Sequence, residues 1–314
     1  MAPDVSVEEC FRLARAMTLK NAAAGLAYGG GKIVVYGDPR IPKWEKEHMI
    51  RALASSLRNV HEYIFAPDMG TDEECMAWVK DEIGATGWGL SHAADVAVRY
   101  CDFELAGAKV VIQGFGAVGK HTARFLCAKG AVVTAVADSR GAVHNRNGLD
   151  IDALIQVKEQ GQPVSTFEGG TAIDSNALLD VECDIWIPAA RPDVIHEDNC
   201  ERIKAKLVIQ GANIPVTHEA ERLLAQRGVL CVPDFIANAG GVICAAMEYE
   251  GATQTSAFEV IEEKLRRNTE LVLETSKKNQ VLPRLAAMDL ATERVRKAMS
   301  FRQYSLFSRA PKFV

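Results

Sequence analysis

The sequence contains no long apolar run, and its first residues do not suggest export. None of its stretches approaches the ~20 apolar residues that a membrane-spanning helix needs. The first residues, MAPDVSVEEC, include neither the basic nor the hydrophobic part of a secretory signal. We therefore expect a cytoplasmic protein without a membrane partner.

An excess of positive charge is also absent. The chain carries 36 lysines and arginines against 41 aspartates and glutamates, a net charge of −5, and has no run rich in lysine or arginine. Proteins that bind nucleic acids concentrate positive charge against the phosphates. No nucleic-acid partner is predicted.

Closely spaced cysteines are missing as well. The 8 cysteines are scattered along the chain without a C-x-x-C motif, and several lie in apolar runs, as Cys231 does in GVLCVPDF. They are expected to be buried thiols in a reducing compartment. Neither a disulfide framework nor a metal site is predicted.

The chain does have enough apolar residues for one large domain or two ordinary ones, with 48% of its 314 residues hydrophobic. A capping box of Ser6 and Glu9 predicts a first helix. A short β-rich stretch, KIVVYGDP (32–39), and two further helices (41–64 and 71–83) are predicted after it. The apolar residues at helical spacing in the first helix are Val7, Cys10, Phe11, Ala14 and Met17.

From about residue 107 strands alternate with helices. The apolar runs AKVVIQGFG, AVVTAVADSRG, CDIWIPAA, AKLVIQGAN and GVLCVPDF each end in small or turn-forming residues, which is typical of parallel strands buried on both faces. The predicted fold class is α/β. A Rossmann-type doubly wound sheet is expected at 93–285, and a smaller α/β substrate domain at 1–92. The tail is predicted to be an amphipathic helix, of which 286–314 joins the first domain.

A glycine-rich turn, Gly114–Gly119 (GFGAVG), follows the first of these strands and opens a predicted helix. Glycines there permit a tight turn and let a pyrophosphate approach the helix N–H groups. Asp138 ends the next strand, where a carboxylate accepts ribose hydroxyls and repels a 2′-phosphate. NAD is the predicted cofactor, and Arg140 leaves NADP possible. A purely structural glycine turn is the alternative.

Two lysines bound an otherwise uncharged segment, LKNAAAGLAYGGGK (19–32). Its GGGK is not a phosphate-binding P-loop, because Leu26 and Ile33 stand where that loop needs glycine and serine or threonine. Burial among small apolar residues, with a second cation nearby, lowers the pKa of a lysine. Lys32 is therefore a candidate base near neutral pH, although a solvated surface lysine is the ordinary alternative.

Together these segments resemble the glutamate/leucine/phenylalanine/valine dehydrogenase family. MTLKNAAAGLAYGGGK, APDMGT, GFGAVG, IPAA, IQGAN and PDFIANAGGV match its order and spacing from about residue 10 to residue 250. The resemblance implies oxidative deamination of an L-amino acid to a 2-oxo acid and ammonia, with hydride transfer to NAD(P). It also implies a homo-oligomer.

Individual roles follow from the same resemblance. Lys20 would bind the substrate α-carboxylate, Lys32 would be the catalytic lysine, and Asp68 would carry protons to and from the amino group. Asn238 would hold the substrate or the nicotinamide amide. Apart from the resemblance, Asp68 is explained equally well as a turn residue. The implied cofactor contacts are Gly114, Phe115, Gly116, Ala117, Val118, Gly119, Asp138, Ala189, Ala190, Asn213 and Asn238.

The helix after NAGG bears on the choice of substrate. In glutamate-specific relatives this helix offers a hydroxyl to the side-chain carboxylate, and here Ala245 occupies that place. Loss of a polar partner favours an apolar substrate side chain. Ala245 is therefore a predicted substrate contact, and glutamate is the other candidate.

Two segments of the family pattern are not found. One is an N-terminal segment, and the other is a glycine-rich stretch between DEIG (81–84) and ATGWGL. The substrate domain is accordingly predicted to be N-terminally truncated. A truncated, non-catalytic NAD-binding member of the same family is the alternative hypothesis.

Overall fold

A computed structural model describes residues 3–38, 40–42, 84–249 and 252–300, together with positions 45, 49, 52 and 53. No helix within these ranges is long and apolar enough to cross a membrane. The 7 cysteines that fall within them are all free thiols.

A 7-stranded sheet lies at the centre of the second half, in the order β4-β3-β2-β1-β5-β6-β7. The pairs from β2 through β1, β5 and β6 to β7 are parallel, whereas β3 and β4 are antiparallel to their neighbours. This confirms the predicted α/β class, and the short strands β3 and β4 are additions to the prediction. The strands are β1 Lys109–Gln113, β2 Val132–Asp138, β3 Gly141–His144, β4 Thr171–Ile173, β5 Ile185–Pro188, β6 Leu207–Ile209 and β7 Leu230–Val232.

Apolar side chains cover both faces of this sheet. On β1, Val110 and Ile112 lie in one buried cluster and Val111 lies in another. On β5, Ile187 belongs to the first of these clusters and Trp186 to the second. Successive side chains of a strand point to opposite faces. Both faces are covered, so the sequence of each strand is continuously apolar rather than alternating.

Nine helices longer than three residues pack on the sheet and beside it within the described ranges, apart from short 3-10 turns. They are α1 Val7–Ala23, α2 Ala85–Ala97, α3 Ala117–Ala128, α4 Ile151–Glu159, α5 His218–Gln226, α6 Asp234–Ala237, α7 Gly240–Tyr249, α8 Gln254–Asn279 and α9 Pro283–Ser300.

The first helix begins as predicted, but its buried residues lie mainly in its C-terminal half. The Ser6 side chain accepts a hydrogen bond from the Glu9 N–H, which confirms the cap. The predicted apolar stripe is wrong at Val7 and Phe11, which are 87% and 71% exposed, whereas Cys10, Ala14 and Met17 are half-buried. Burial instead falls on the C-terminal half, where α1 packs against α6, α7 and α9.

The β-rich stretch predicted over 32–39 does not form a strand in its described part, residues 32–38. Residues 32–35 have no regular secondary structure, and Tyr36 makes only an isolated bridge. A strand requires a ladder of backbone hydrogen bonds with a neighbour, and none of the described strands pairs with this segment. The helices predicted at 41–64 and 71–83 fall almost entirely outside the described residues.

The C-terminal tail forms two helices rather than the single one predicted. α8 ends at Asn279, where Gln280 adopts φ +55°, and α9 begins at Pro283. Arg294 of α9 donates to the carbonyl oxygens of Ala22 and Ala23, which ties the tail to α1. The domain limits themselves stay a prediction, and the one placed between residues 92 and 93 falls inside α2.

Candidate active site

The loops that leave the parallel strands meet at their carboxyl ends. From β1 the chain passes to β2 on one side of the sheet and later enters β5 on the other, so the switch point where such folds bind ligands lies between β1 and β5. A Cβ on Gly114 would lie 2.7 Å from the Ala189 carbonyl oxygen and 2.9 Å from the Ala190 Cα. The structure thus brings together the predicted cofactor contacts after β1 and β5.

The GFGAVG turn has the shape that a pyrophosphate requires. Gly114 has φ +100°, and a Cβ on Gly119 would lie 1.9 Å from the Gly114 carbonyl oxygen, so both positions exclude a side chain. At Gly116, by contrast, no atom of the described residues lies within 4 Å of a built Cβ. Gly116 caps α3 without a side-chain hydrogen bond. The N–H groups at the start of α3, which begins with Ala117 and Val118, therefore face an open space that suits an anion.

Asp138 closes the other end of this cradle and is already well bonded. Its Oδ2 accepts from the Lys158 ammonium at 2.6 Å and the Val164 N–H at 3.1 Å, and its Oδ1 accepts from the Arg140 N–H at 2.8 Å. Burial acts to raise the pKa of Asp138, but these hydrogen bonds outweigh it and the pKa is lowered. The carboxylate is therefore ionised at neutral pH, and Oδ1 accepts a single hydrogen bond although a carboxylate oxygen can accept two.

Asn238 presents a buried acceptor at the same edge. It is 2% exposed, and its amide NH2 donates to the Ala212 carbonyl at 3.0 Å and to the Asn213 side chain at 3.2 Å. Its Oδ1 has no hydrogen-bond partner among the described residues. Buried polar atoms are nearly always satisfied, so this oxygen fits a donor from a bound molecule, such as an amide or an amino group.

Lys20 lies in the last turn of α1 and is 7% exposed. Burial lowers its pKa to about 8, opposed by the charge of Asp234 and assisted by that of Lys32. The charge of Lys32 therefore acts on the pKa of Lys20. The ammonium of Lys20 is charged below about pH 8 and can pair with a carboxylate there.

The segment carrying Lys32 runs back along α1. A Cβ on Gly30 would lie 2.1 Å from the Thr18 nitrogen, so this glycine permits the close approach to α1. The Cys10 thiol donates to the Lys32 carbonyl at 3.4 Å. Burial lowers the pKa of Lys32, against the opposing charges of Cys10 and Glu9. The lowered pKa agrees with the direction expected from the sequence.

Of the remaining predicted residues, Ala245 and Phe115 are described by the structure and Asp68 is not. Ala245 is half-buried in α7, the helix that follows Asn238. Gly240, at the start of this helix, packs against the start of α2, where a Cβ would lie 2.2 Å from the Ala85 carbonyl. Asp68 lies outside the described residues, so its role stays a prediction. Phe115 is buried at 2% exposure within the turn, and supports the loop from inside.

The sequence did not single out Asp234 and Arg284. Both are buried, at 1% and 8% exposure, and their atoms Oδ1 and Nη1 lie 3.1 Å apart. Asp234 belongs to the quoted segment PDFIANAGG, which was a signal that could have identified it. Arg284 lies in a charged tail, where an arginine resembles any surface residue.

Comparison with known proteins decides the family. The sequence pattern of the glutamate/leucine/phenylalanine/valine dehydrogenase family matches residues 79–303, and the pattern of the dimerisation domain of this family matches residues 1–85. The chain belongs to this family. It is an NAD(P)-dependent amino acid dehydrogenase, as the sequence predicted. Both halves are matched, so the comparisons lend no support to the truncated, non-catalytic alternative.

Individual relatives agree with this assignment. A glutamate dehydrogenase of Aeropyrum pernix is 36% identical over 341 residues, covering 96% of this chain and 81% of the relative. An NAD-specific glutamate dehydrogenase of Staphylococcus aureus is 35% identical over 340 residues, covering 96% and 82%. The hetero-hexameric glutamate dehydrogenase of Thermus thermophilus, in a leucine-bound form, is 25% identical with a TM-score of 0.86, covering 97% and 81%. This dehydrogenase therefore shares both the fold and the cofactor class of its relatives.

Proposed function

We propose that this dehydrogenase oxidatively deaminates an L-amino acid with an apolar side chain, using NAD. The observation that supports it most is a juxtaposition. α1 packs against α6 and α7, so the buried lysine at its end lies beside the segment that carries Asn238, and Asn213 touches Asn238 from the cofactor side. The residues proposed to bind the substrate and those proposed to bind the cofactor thus lie next to each other.

The charge state of each side chain suits the role proposed for it. Lys20, charged below about pH 8, would hold the α-carboxylate of the substrate. The Oδ1 of Asn238, which has no partner among the described residues, would accept from an N–H donor. NAD, when bound, supplies the acceptor for the hydride from the substrate Cα. Lys32 has a lowered pKa, which enlarges its neutral fraction, so it would take a proton from the water that adds to the imine carbon. Asp68 would carry protons to and from the nitrogen.

A direct assay tests this proposal. NADH formation is followed at alkaline pH with a panel of L-amino acids, for the wild type, Lys32→Ala and the exposed-lysine control Lys206→Ala. The wild type and the control should turn over, whereas Lys32→Ala should lose at least about a hundredfold, within the range by which removal of a general base slows a reaction. No turnover with any amino acid, while NAD still raises the melting temperature, would refute the proposal.

Glutamate is the second candidate, because relatives 35–36% identical are named glutamate dehydrogenases. Ala245 discriminates between the two. Ala245→Ser restores a hydroxyl for a side-chain carboxylate, so it should raise kcat/KM for glutamate relative to leucine by about tenfold, a difference of ~1.4 kcal/mol. If the wild type already prefers glutamate, the apolar preference is wrong.

NAD is favoured over NADP because Asp138 is ionised and its Oδ1 can accept from a ribose hydroxyl. We also propose a homo-oligomer: Val7 and Phe11 are exposed on α1, and one relative is hetero-hexameric. Size-exclusion chromatography with light scattering tests the oligomer, and a monomer at micromolar concentration would contradict it.

A further inference from the structure

Four charged side chains are buried next to one another behind the substrate end of the site. They come from separate elements, yet each is at most 8% exposed. Two are cations and two are carboxylates, so their formal charges cancel. The four are Lys20 of α1, Glu221 of α5, Asp234 of α6 and Arg284 of α9.

Arg284 is the centre of this cluster. Its Nε and Nη2 each donate to one oxygen of Glu221 at 2.7 Å, and Nη2 also donates to the Gln210 side chain at 2.9 Å. Its third nitrogen, Nη1, lies 3.1 Å from Asp234 Oδ1. An arginine side chain held through several nitrogens by a carboxylate has a fixed orientation, so the positive charge of Arg284 is kept against the Asp234 carboxylate.

Asp234 in turn faces both halves of the site. Its Oδ2 accepts from the Ile214 N–H at 2.8 Å, which anchors the loop containing Asn213. The helix that Asp234 opens packs against α1, and the negative charge of Asp234 acts on the Lys20 ammonium. One carboxylate therefore connects the predicted carboxylate-binding lysine with the predicted cofactor loop.

We propose that Asp234, held in place by Arg284, is a positioning residue that keeps Lys20 charged and directed for binding the substrate α-carboxylate. The inference rests on the proposed function, in which Lys20 is that binding group. Burial by itself favours neutral Lys20, and a neutral amine does not pair with a carboxylate. The carboxylate of Asp234 opposes that loss, and Arg284 limits how strongly it does so.

The charges around this cluster allow the sign of each effect to be predicted. Removing the charge of Asp234 lowers the pKa of Lys20 below about 8, because Asp234 raises it. Removing the charge of Arg284 leaves Asp234 uncompensated and raises the pKa of Lys20. Among the described residues, the other charged or titratable groups facing the cluster are Lys32, Cys231 and, at the end of α1, Arg294.

The test compares Asp234→Asn, Arg284→Gln and Arg284→Lys with the wild type. Asparagine keeps the acceptor for the Ile214 N–H, and lysine keeps the positive charge. The pH dependence of kcat/KM for the amino acid is measured from pH 6 to pH 10. Its alkaline limb should move to lower pH by about half a unit or more in Asp234→Asn and to higher pH in Arg284→Gln. Arg284→Lys should stay close to the wild type.

A second measurement does not depend on turnover. The pKa of Lys20 follows from its rate of acetylation by acetic anhydride as a function of pH, measured by mass spectrometry on the intact protein. It should move in the same opposite directions. Asp180→Asn, which removes a carboxylate from an exposed pair with Arg202, is the matched control and should move neither quantity. Opposite shifts are not expected from simple loss of packing.

The outcomes separate the inference from the function. If Lys20→Ala raises KM for the amino acid but Asp234→Asn leaves the Lys20 pKa unchanged, the inference is overturned and the proposed function stands. If Lys20→Ala leaves KM unchanged, the role of Lys20 in the proposed function is wrong, and the inference fails with it. If Arg284→Gln does not fold, Asp234→Asn and Arg284→Lys decide the question by the same two measurements. Shifts of the same sign in Asp234→Asn and Arg284→Gln also overturn it.

Discussion

Asp138→Asn tests the cofactor cradle, because it keeps the size of the side chain and removes its charge. Three donors converge on the carboxylate: the Lys158 ammonium at 2.6 Å, the Val164 N–H at 3.1 Å and the Arg140 N–H at 2.8 Å. Asparagine offers one oxygen, so its NH2 group must face Lys158 and Val164 or face Arg140. An unsatisfied partly buried donor costs about 1–3 kcal/mol, and we expect a loss of stability of that size.

Asp138→Asn should also change the preference between NAD and NADP, for a reason separate from the loss of stability. A hydrogen bond from a ribose hydroxyl to a charged group contributes about 1.5–3 kcal/mol, which is about 10- to 140-fold in affinity for NAD. NADP gains from the loss of repulsion between Asp138 and its 2′-phosphate. The ratio of kcat/KM for NAD to that for NADP should therefore fall by at least about tenfold.

The assay measures both ratios and binding. kcat/KM is determined for each cofactor at saturating amino acid, and the affinities of ADP-ribose and its 2′-phosphate are determined by calorimetry. Asp152→Asn is the matched control, since Asp152 pairs with Arg124 at the surface. If the ratio of Asp138→Asn stays within about twofold of the wild type in a folded protein, Asp138 does not contact the ribose and the reasoning is refuted.

Three further predictions concern the glycine turn and Lys20. Gly116→Ala should keep its melting temperature but bind NAD more weakly, because its Cβ meets no atom of the described residues and instead enters the space expected for the pyrophosphate; calorimetry with NAD measures this, and unchanged affinity would contradict it. Gly119→Ala should lose about 1–3 kcal/mol of stability, because its Cβ would lie 1.9 Å from the Gly114 carbonyl oxygen; a normal urea midpoint would show that the turn adapts. Lys20→Met should be more stable than the wild type at pH 7, by up to about 3 kcal/mol at ~1.4 kcal/mol per pH unit, because burial lowers the Lys20 pKa from 10.5 to about 8. The wild type should become more stable as pH rises from about 8 towards 10.5, where Lys20 is neutral in the folded and unfolded states. The stability advantage of Lys20→Met should therefore shrink over this interval, and an advantage that stays constant would exclude the charge as its cause.

Much of the fold follows from local patterns. The strands β1, β2, β5, β6 and β7 were predictable because each is buried on both faces and is therefore a continuous apolar run. β3 and β4 were not, because they are antiparallel segments of four and three residues. The strand expected at 32–39 was the opposite error, because its run of apolar residues has no partner among the described strands and makes no ladder.

The site divides in the same manner. Gly114 and Gly119 were identifiable because their glycines satisfy a local steric demand, and Lys20 and Lys32 because they stand in an uncharged setting. The partners of Asp138 were not identifiable: Lys158 reaches it from α4, and Arg284 reaches Asp234 from a helix 50 residues further along the chain. Such contacts depend on how the elements pack.

The sequence by itself determined the family, the cofactor turn and the order of the five parallel strands, because each depends on residues that are neighbours in the chain. Tertiary structure alone decided which charged and polar groups are buried and which groups they contact. It buries Lys20 against α6, places Arg284 between two carboxylates, and leaves the Asn238 oxygen without a partner among the described residues. These are properties of distance and burial between segments far apart in sequence, and a pattern of residue types does not contain them.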